Sequence, residues 1–297
     1  MNNPSNDAQI LPPLAPPPTS ARIALRWIAA VFAILIALLF GLLTLLLIGL
    51  GTGPVPFVIG LLLATIPVPV YISLVLWIDR YESEPAWSLA TAFFWGALVA
   101  VFIAFVLNTT GVLVVGMLMG EGAADFSGAV IFAPVVEESA KALVLFGLFF
   151  FKRDEFDGVI DGVVYASMVG LGFAMTENVQ YYGGAALDGG PSGAVELFFL
   201  RGLMAPFSHP LFTSMTGIGL GLASQSKSVV VKFFVPAAGL AAAIVLHSLW
   251  NLSASVSGLL FFAAYFLIMI PVLVAVLVSI FFALRREGRI VREHLHT

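Results

Sequence analysis

The sequence predicts an all-α, polytopic integral membrane protein with about eight transmembrane helices and both termini in the cytoplasm. Three observations predict it. Of 297 residues, 60% are hydrophobic and only 10% charged, whereas soluble domains carry about 25% charged residues. The apolar residues fall in runs of roughly 20 or more, the length a helix needs to cross the hydrocarbon. The basic residues collect on one side of those runs, as the positive-inside rule requires.

Taken in order, residues 1–20 are polar and proline-rich, with Pro12-Pro13 and Pro16-Pro17-Pro18. They cannot bury a core and are expected as a disordered cytoplasmic tail. The apolar run after Arg22 and Arg26 is too long for the core of a secretory signal and reads as an anchor. Eight spans follow, at 23–50, 55–78, 89–119, 129–151, 159–182, 197–223, 229–252 and 259–284. Segments rich in glycine, proline or charge separate them, at 51–54, 79–85, 120–128, 152–157, 183–193, 225–228 and 253–258. The basic segment 285–297 is expected as a cytoplasmic tail, which leaves 21–284 as one membrane-embedded domain. With the N-terminus inside, eleven of the thirteen lysines and arginines are cytoplasmic, Arg201 is external and Lys141 lies within a span. An invented or missed span would scramble this bias.

The composition also excludes. There is no cysteine, hence no disulfide, thiolate nucleophile or cysteine metal site. The net charge is −4 and no basic block suits nucleic acid.

Inside the apolar runs lies a set of polar residues. Glu137 and Glu138 sit in the fourth span with Lys141 on the same helical face. A charge near the bilayer centre costs at least ~2.5 kcal/mol, so such residues line cavities and carry function. The spacing lets Lys141 offset one carboxylate and leaves the other for acid/base work. Pro134, four residues before Glu138, is expected to loosen the helix. The fifth span carries Glu177 and Asn178, with Gly170 and Gly172 allowing close backbone approach. In the sixth, His209 lies between Pro206 and Pro210, where the helix is expected to break. In the seventh, His247 and Asn251 are four apart on one face. Each group alone also reads as an interhelical ion pair, a headgroup-level carboxylate or polar glue between helices. At ~1.5 Å per residue, however, all fall at a similar depth in the outer half of the membrane. Together they read as one site open to the external face. Asp157 and Asp161 are expected to cap the fifth span, and His294 and His296 to be solvated.

These segments resemble the PrsW family of intramembrane proteases, relatives of the CAAX-processing endopeptidases. The likeness rests on Asp79-Arg-Tyr-Glu-Ser-Glu-Pro85, Glu137-Glu-Ser-Ala-Lys141, Phe156 to Tyr165, Gly170 to Asn178, His209 and His247-Ser-Leu-Trp-Asn251. It covers roughly residues 55–252. The resemblance implies a membrane-embedded peptidase, described as a metalloprotease, whose best-known role is the first cut in a membrane-spanning anti-sigma factor. The CAAX enzymes carry EExxxR where this chain has EExxK, and FxxxH where it has Phe173 to Glu177, so their ligand set does not transfer directly.

Two mechanisms fit. In one, Glu177, His209 and His247 bind zinc, with water at the fourth position. In the other, no metal is used; a glutamate and a histidine polarise the water, and His247 and Asn251 stabilise the oxyanion. In both, Glu138 is expected as the base, with Glu137 held by Lys141, and Asn178 belongs to the site. No HExxH is present. A serine mechanism is disfavoured because Ser208 and His209 are neighbours that point apart and no GxSxG exists. The expected partners are the bilayer and a single-span membrane protein or peptide, in the cell membrane. An ion-coupled transporter is the competing class, but its usual internal repeat is absent; a non-catalytic membrane scaffold is the other.

Overall fold

In the computed structural model of the protein, residues 20–295 are described, with side chains for 24–285. The proline-rich residues 1–19 and the side chains of the basic tail beyond 285, His294 and His296 included, lie outside the described residues. Two units are distinguished, Met1–Ile36 and Ala37–Thr297. The helix that starts at Ser20 begins in the first, and the packing and the site described below lie in the second.

The described residues are helical almost throughout and contain no strand. The elements are α1 (Ser20–Thr52), α2 (Pro54–Thr65), α3 (Val68–Ile78), α4 (Ala86–Phe94), α5 (Val101–Met119), α6 (Glu121–Ser127), α7 (Ala133–Phe151), α8 (Val159–Phe198), α9 (Ser208–Ser224), α10 (Val229–Val256), α11 (Gly258–Ala264) and α12 (Ile270–Leu295). Wider π-helical turns bridge four of the junctions, at Trp95–Ala100, Gly128–Phe132, Phe199–Met204 and Tyr265–Met269. Such turns free a backbone carbonyl and cluster at functional sites.

Six stretches among the described residues are long and apolar enough to cross a membrane: Ala24–Thr52, Pro54–Ile78, Ala86–Met119, Val159–Ser224, Val229–Val256 and Gly258–Arg285. Val159–Ser224 runs for 66 residues, more than two crossings of about 20 residues each require. The helix α7 is missing from the six because Glu137, Glu138 and Lys141 crowd its 19 residues with charge.

Several boundaries depart from the sequence expectation. The second span is two helices, because Pro67 interrupts the chain between α2 and α3. The fifth does not end at Tyr182; α8 continues through the glycine-rich segment to Gly190, where positive φ and Pro191 kink it. Gly183 lies against Thr52, so packing holds that segment helical where composition favours a loop. Glu177 is thus about 20 Å below the kink at 1.5 Å per residue, deeper than a helix ending at Tyr182 would place it. Pro134 does not kink α7 from within; it occupies the first turn, just after the Gly128–Phe132 turn. The chain does break before His209, at Ala205 to Phe207, so His209 starts α9. Asp161, not Asp157, caps α8: its Oδ2 accepts from the backbone N–H of Asp157 and Gly158.

The four helices α7, α8, α9 and α10 pack on one another, with α8 and α9 most buried. Lipid removes most of the hydrophobic drive between helices, so close fit does the joining. A Cβ on Gly172 would lie 2.0 Å from the Phe93 carbonyl oxygen, and one on Gly170 would lie 2.7 Å from the nitrogen of Pro210. The backbones touch there, and Gly170 thereby sets where α9 begins. Below this level Leu145, Phe156, Val164, Tyr165, Val169 and Leu220 form the main core. A second cluster of Ala205, Phe212, Trp250, Tyr265 and Met269 backs the start of α9.

Candidate active site

Glu138 and Lys141 are fully buried, and Glu137, His209 and His247 nearly so. Lys141 Nζ donates to Glu138 Oε1 at 2.8 Å and stands 3.6 Å from Glu137 Oε2. Sequence reasoning expected the opposite pairing, with Lys141 on Glu137. The structure differs because Glu138 has two more donors. Thr213 Oγ1 donates to its Oε2 at 3.0 Å, and His247 Nδ1 lies 3.0 Å from its Oε1. Glu138 is a hub that accepts from three helices and has no surface left for a substrate.

These bonds fix the histidine rings. An ammonium only donates, so His209 Nδ1, 2.9 Å from Lys141 Nζ, accepts. The ring proton is then on Nε2, which donates to Glu177 Oε2 at 2.9 Å. In His247, Nδ1–H donates to Glu138, and Nε2 is left with a lone pair 3.9 Å from Glu137 Oε2. Phe212 stacks on the His247 ring at 4.8 Å, and Phe173 lies under Lys141 Nζ at 3.8 Å. Both aromatic faces hold their partners in place.

Glu137 is held more loosely. Asn108 Nδ2 approaches its Oε1 at 3.4 Å, and its Oε2 is buried with no hydrogen-bond partner among the described residues. Glu177 is anchored from outside by Arg201, whose Nη2 donates to Oε2 at 2.5 Å. Arg201 Nε donates to Asn178 Oδ1 at 2.7 Å, and its guanidinium lies over the Tyr181 ring. Asn251 Nδ2 donates at 2.9 Å to the Ala129 carbonyl, which the π-helical turn before α7 frees. The eight residues singled out in the sequence therefore lie in one connected set on α7, α8, α9 and α10. Arg201, Thr213 and Asn108 belong to it and were missed. Only Arg201 had a signal: it was the single basic residue on the external side.

Two cavities meet at this set. One, of about 830 Å³, lies between α1, α5, α7 and α8. The other, of about 460 Å³, lies between α7, α8, α10 and α11. Glu137 and Glu177 line both, while Glu138 lines neither.

The family model described as PrsW family intramembrane metalloprotease matches residues 84–276. The chain belongs to the PrsW family. Among its PrsW relatives, Protease PrsW of Geobacillus kaustophilus is 32% identical over 148 residues, 49% of this chain and 58% of that protein. Protease PrsW of Oceanobacillus iheyensis is 28% identical over 213 residues, 69% of this chain and 86% of the relative. That of Bacillus subtilis is 30% identical over 151 residues, 50% and 61%. The first and third matches span less than two thirds of the relative's length. No solved structure matches.

A PrsW-family metal would meet a suitable donor set here. Glu137, His209 and His247 each offer a ligand atom, all within 4.8 Å of one another. One carboxylate and two imidazoles suit zinc. The orphaned Glu137 Oε2 and the open His247 Nε2 are the kind of atoms a cation satisfies, and Glu138 behind His247 Nδ1 is the orienting carboxylate such ligands have. Three carboxyl groups, those of Glu137, Glu138 and Glu177, lie around two cations, Lys141 and Arg201. His209 joins such a site only by releasing one of its two hydrogen bonds. Glu177, which the sequence put in the ligand set, is not in this group; Arg201 and His209 hold its Oε2.

Proposed function

We propose that the protein is an intramembrane peptidase that hydrolyses peptide bonds of single-span membrane substrates near the external side of the cell membrane. Eight crossings with both termini cytoplasmic complete the topology: Val159–Ser224 counts as two and α7 as one. The observation that carries the reading is Glu137 Oε2, a buried carboxylate oxygen with no hydrogen-bond partner among the described residues, on a side chain that lines both cavities. Family membership supports the reaction class. First cleavage of a membrane-spanning anti-sigma factor is the physiological reaction we assign.

Glu137, His209 and His247 would hold a zinc ion, which supplies an acidified water and polarises the carbonyl. The chain's own groups do the rest. Glu177 has no hydrogen bond to Oε1 among the described residues and lines both cavities. With Arg201 fixing it, it takes the proton of the attacking water and passes it to the leaving nitrogen. Asn251 uses one amide hydrogen on Ala129; its second is free to donate to the oxyanion. Glu138 and Lys141 orient His247 and His209. Asn178 orients Arg201.

One observation favours a metal-free version: both nitrogens of His209 are already hydrogen-bonded. Glu137 is then the base, with the open Nε2 of His247 beside it.

The test is reconstitution with a single-span substrate carrying a short external domain. Cleavage should fall near the external end of the span and be lost in Glu137→Gln, Glu177→Gln and His247→Ala. Cleavage that survives all three variants would overturn the site. A proton-coupled uptake activity with no proteolysis would move the protein to the transporters.

A further inference from the structure

The two cavities differ in chemistry as well as size. Both are mostly apolar, but the charges in their linings differ: in the larger, Asn108, Thr109, Thr176 and Gln180 lie beside Glu137, Glu177 and Asp188, with no lysine, arginine or histidine among the described residues. The smaller has an aromatic wall of Trp250, Phe261 and Phe262, and Arg201, His209 and His247 line it. Trp250 and Phe261 pack at 4.7 Å. Each cavity reaches an exposed rim. In the larger the rim is Gly51 and Asp188, at the ends of α1 and the first part of α8; in the smaller it is Ser255 and Gly258, where α10 gives way to α11. In the eight-crossing topology both rims are external. The cavities are adjacent and share Glu137 and Glu177 in their linings.

Hydrolysis makes the two ends of a substrate chemically unlike. The C–N bond breaks, the water's oxygen joins the acyl carbon, and its proton goes to the leaving nitrogen. The acyl half ends as a carboxylate and the other half as an amine, protonated at neutral pH. A carboxylate and the oxyanion before it suit the cavity holding Arg201 and Asn251; an amine suits the cavity whose charges are all carboxylates.

Resting on the peptidase reading, we propose that a substrate lies across Glu137 in one direction only, acyl half in the Trp250–Phe262 cavity and amine half in the Asp188 cavity. The enzyme therefore selects a large apolar residue just before the cut and a basic residue soon after it.

The experiment uses the full chain in lipid nanodiscs with a single-span substrate library randomised on both sides of the cut, read by mass spectrometry. The expected products carry Phe, Leu or Met before the cut and Lys or Arg after it. Asp188→Arg should lower the basic preference after the cut about threefold, as an exposed charge pair allows, and leave the position before it unchanged. Phe262→Ala should lower the large-apolar preference before the cut about tenfold, without affecting the position after it. Exchanged preferences, or variants that alter the wrong side, overturn the proposal. The chain lacks cysteine, so single cysteines at Thr109 and Ser255 read the path independently of cleavage. A substrate cysteine N-terminal to the cut should cross-link to Ser255→Cys and one C-terminal to it to Thr109→Cys. The reverse pattern, or no preference, overturns the proposal even where cleavage proceeds. If the native chain cuts no library member, the peptidase reading fails, and the cross-links alone decide the direction of binding.

Discussion

Arg201 Nη2 lies 2.5 Å from Glu177 Oε2, joining the turn before α9 to the middle of α8. Both side chains are mostly buried, so each is costly without the other. Removing one partner of such a pair costs about 3–5 kcal/mol. Arg201→Ala should therefore lower the unfolding temperature in detergent and reduce cleavage at least about 100-fold, as loss of a positioned catalytic group does. Arg201→Lys should recover stability better than activity, because an ammonium cannot hold Glu177 and Asn178 together in one plane. Equal recovery of both would mean that Arg201 supplies charge alone.

The Lys141–Glu138 pair predicts a coupling. Lys141→Met and Glu138→Gln each leave a buried charge short of its partner, at about 3–5 kcal/mol apiece. The double variant should be less destabilised than the sum, since the two side chains touch. Thermal unfolding of the four proteins measures this. Strict additivity would show that Lys141 is held chiefly by His209 and the Phe173 ring.

Glu84 predicts a pH dependence outside the membrane. Burial lifts its carboxyl to about 7, the carboxylates of Asp161, Asp79 and Glu155 add to the rise, and the hydrogen bond from Tyr165 opposes it. A raised folded value means that the folded state binds the proton more tightly than the unfolded chain does. The stabilisation is full below about 4.5 and is lost as pH rises through about 7. The unfolding temperature should fall between pH 5 and pH 8, and Glu84→Gln should flatten that fall. Parallel curves for the two proteins would assign the dependence to another group.

Elemental analysis tests the metal. Purified protein should carry about one zinc per chain, lost in His247→Ala and on chelation. His209→Ala should weaken binding too. Fully active protein without metal would establish the metal-free version, with Glu137 as base.

Much of the site was legible because its residue types are expensive where they occur. Glu137, Glu138 and Lys141 stand out in an apolar run, and His247 and Asn251 share a face by spacing alone. The choice of partner for Lys141 was not legible. Positions three and four back both face it, and the decision falls to Thr213 and His247, far away in the chain. Arg201 was hidden for a related reason: one charge near a span end reads as an anchor until Glu177 is seen against it. The length of α8 was misread because Gly183, Gly184, Gly189 and Gly190 suggest a loop, whereas the first of them packs against Gly60 and Thr52. The eight runs of hydropathy conveyed the all-helical class but not the wide turns inside them, which depend on neighbouring side chains.

Those wide turns have a consequence for the orientation of His209. The hydroxyl of Tyr71 donates to the carbonyl of Gly202, and that of Tyr265 donates to the carbonyl of Met204 at 2.8 Å. Neither tyrosine touches the reacting groups, yet the pair splints open the turn that precedes the histidine. Without these phenols the freed carbonyls would seek partners within their own helix, and the turn would tighten. A tighter turn would displace Ala205, and with it the break from which α9 and His209 start. The compass bearing of the imidazole is thus kept by two hydroxyls on segments that contribute nothing else to the chemistry.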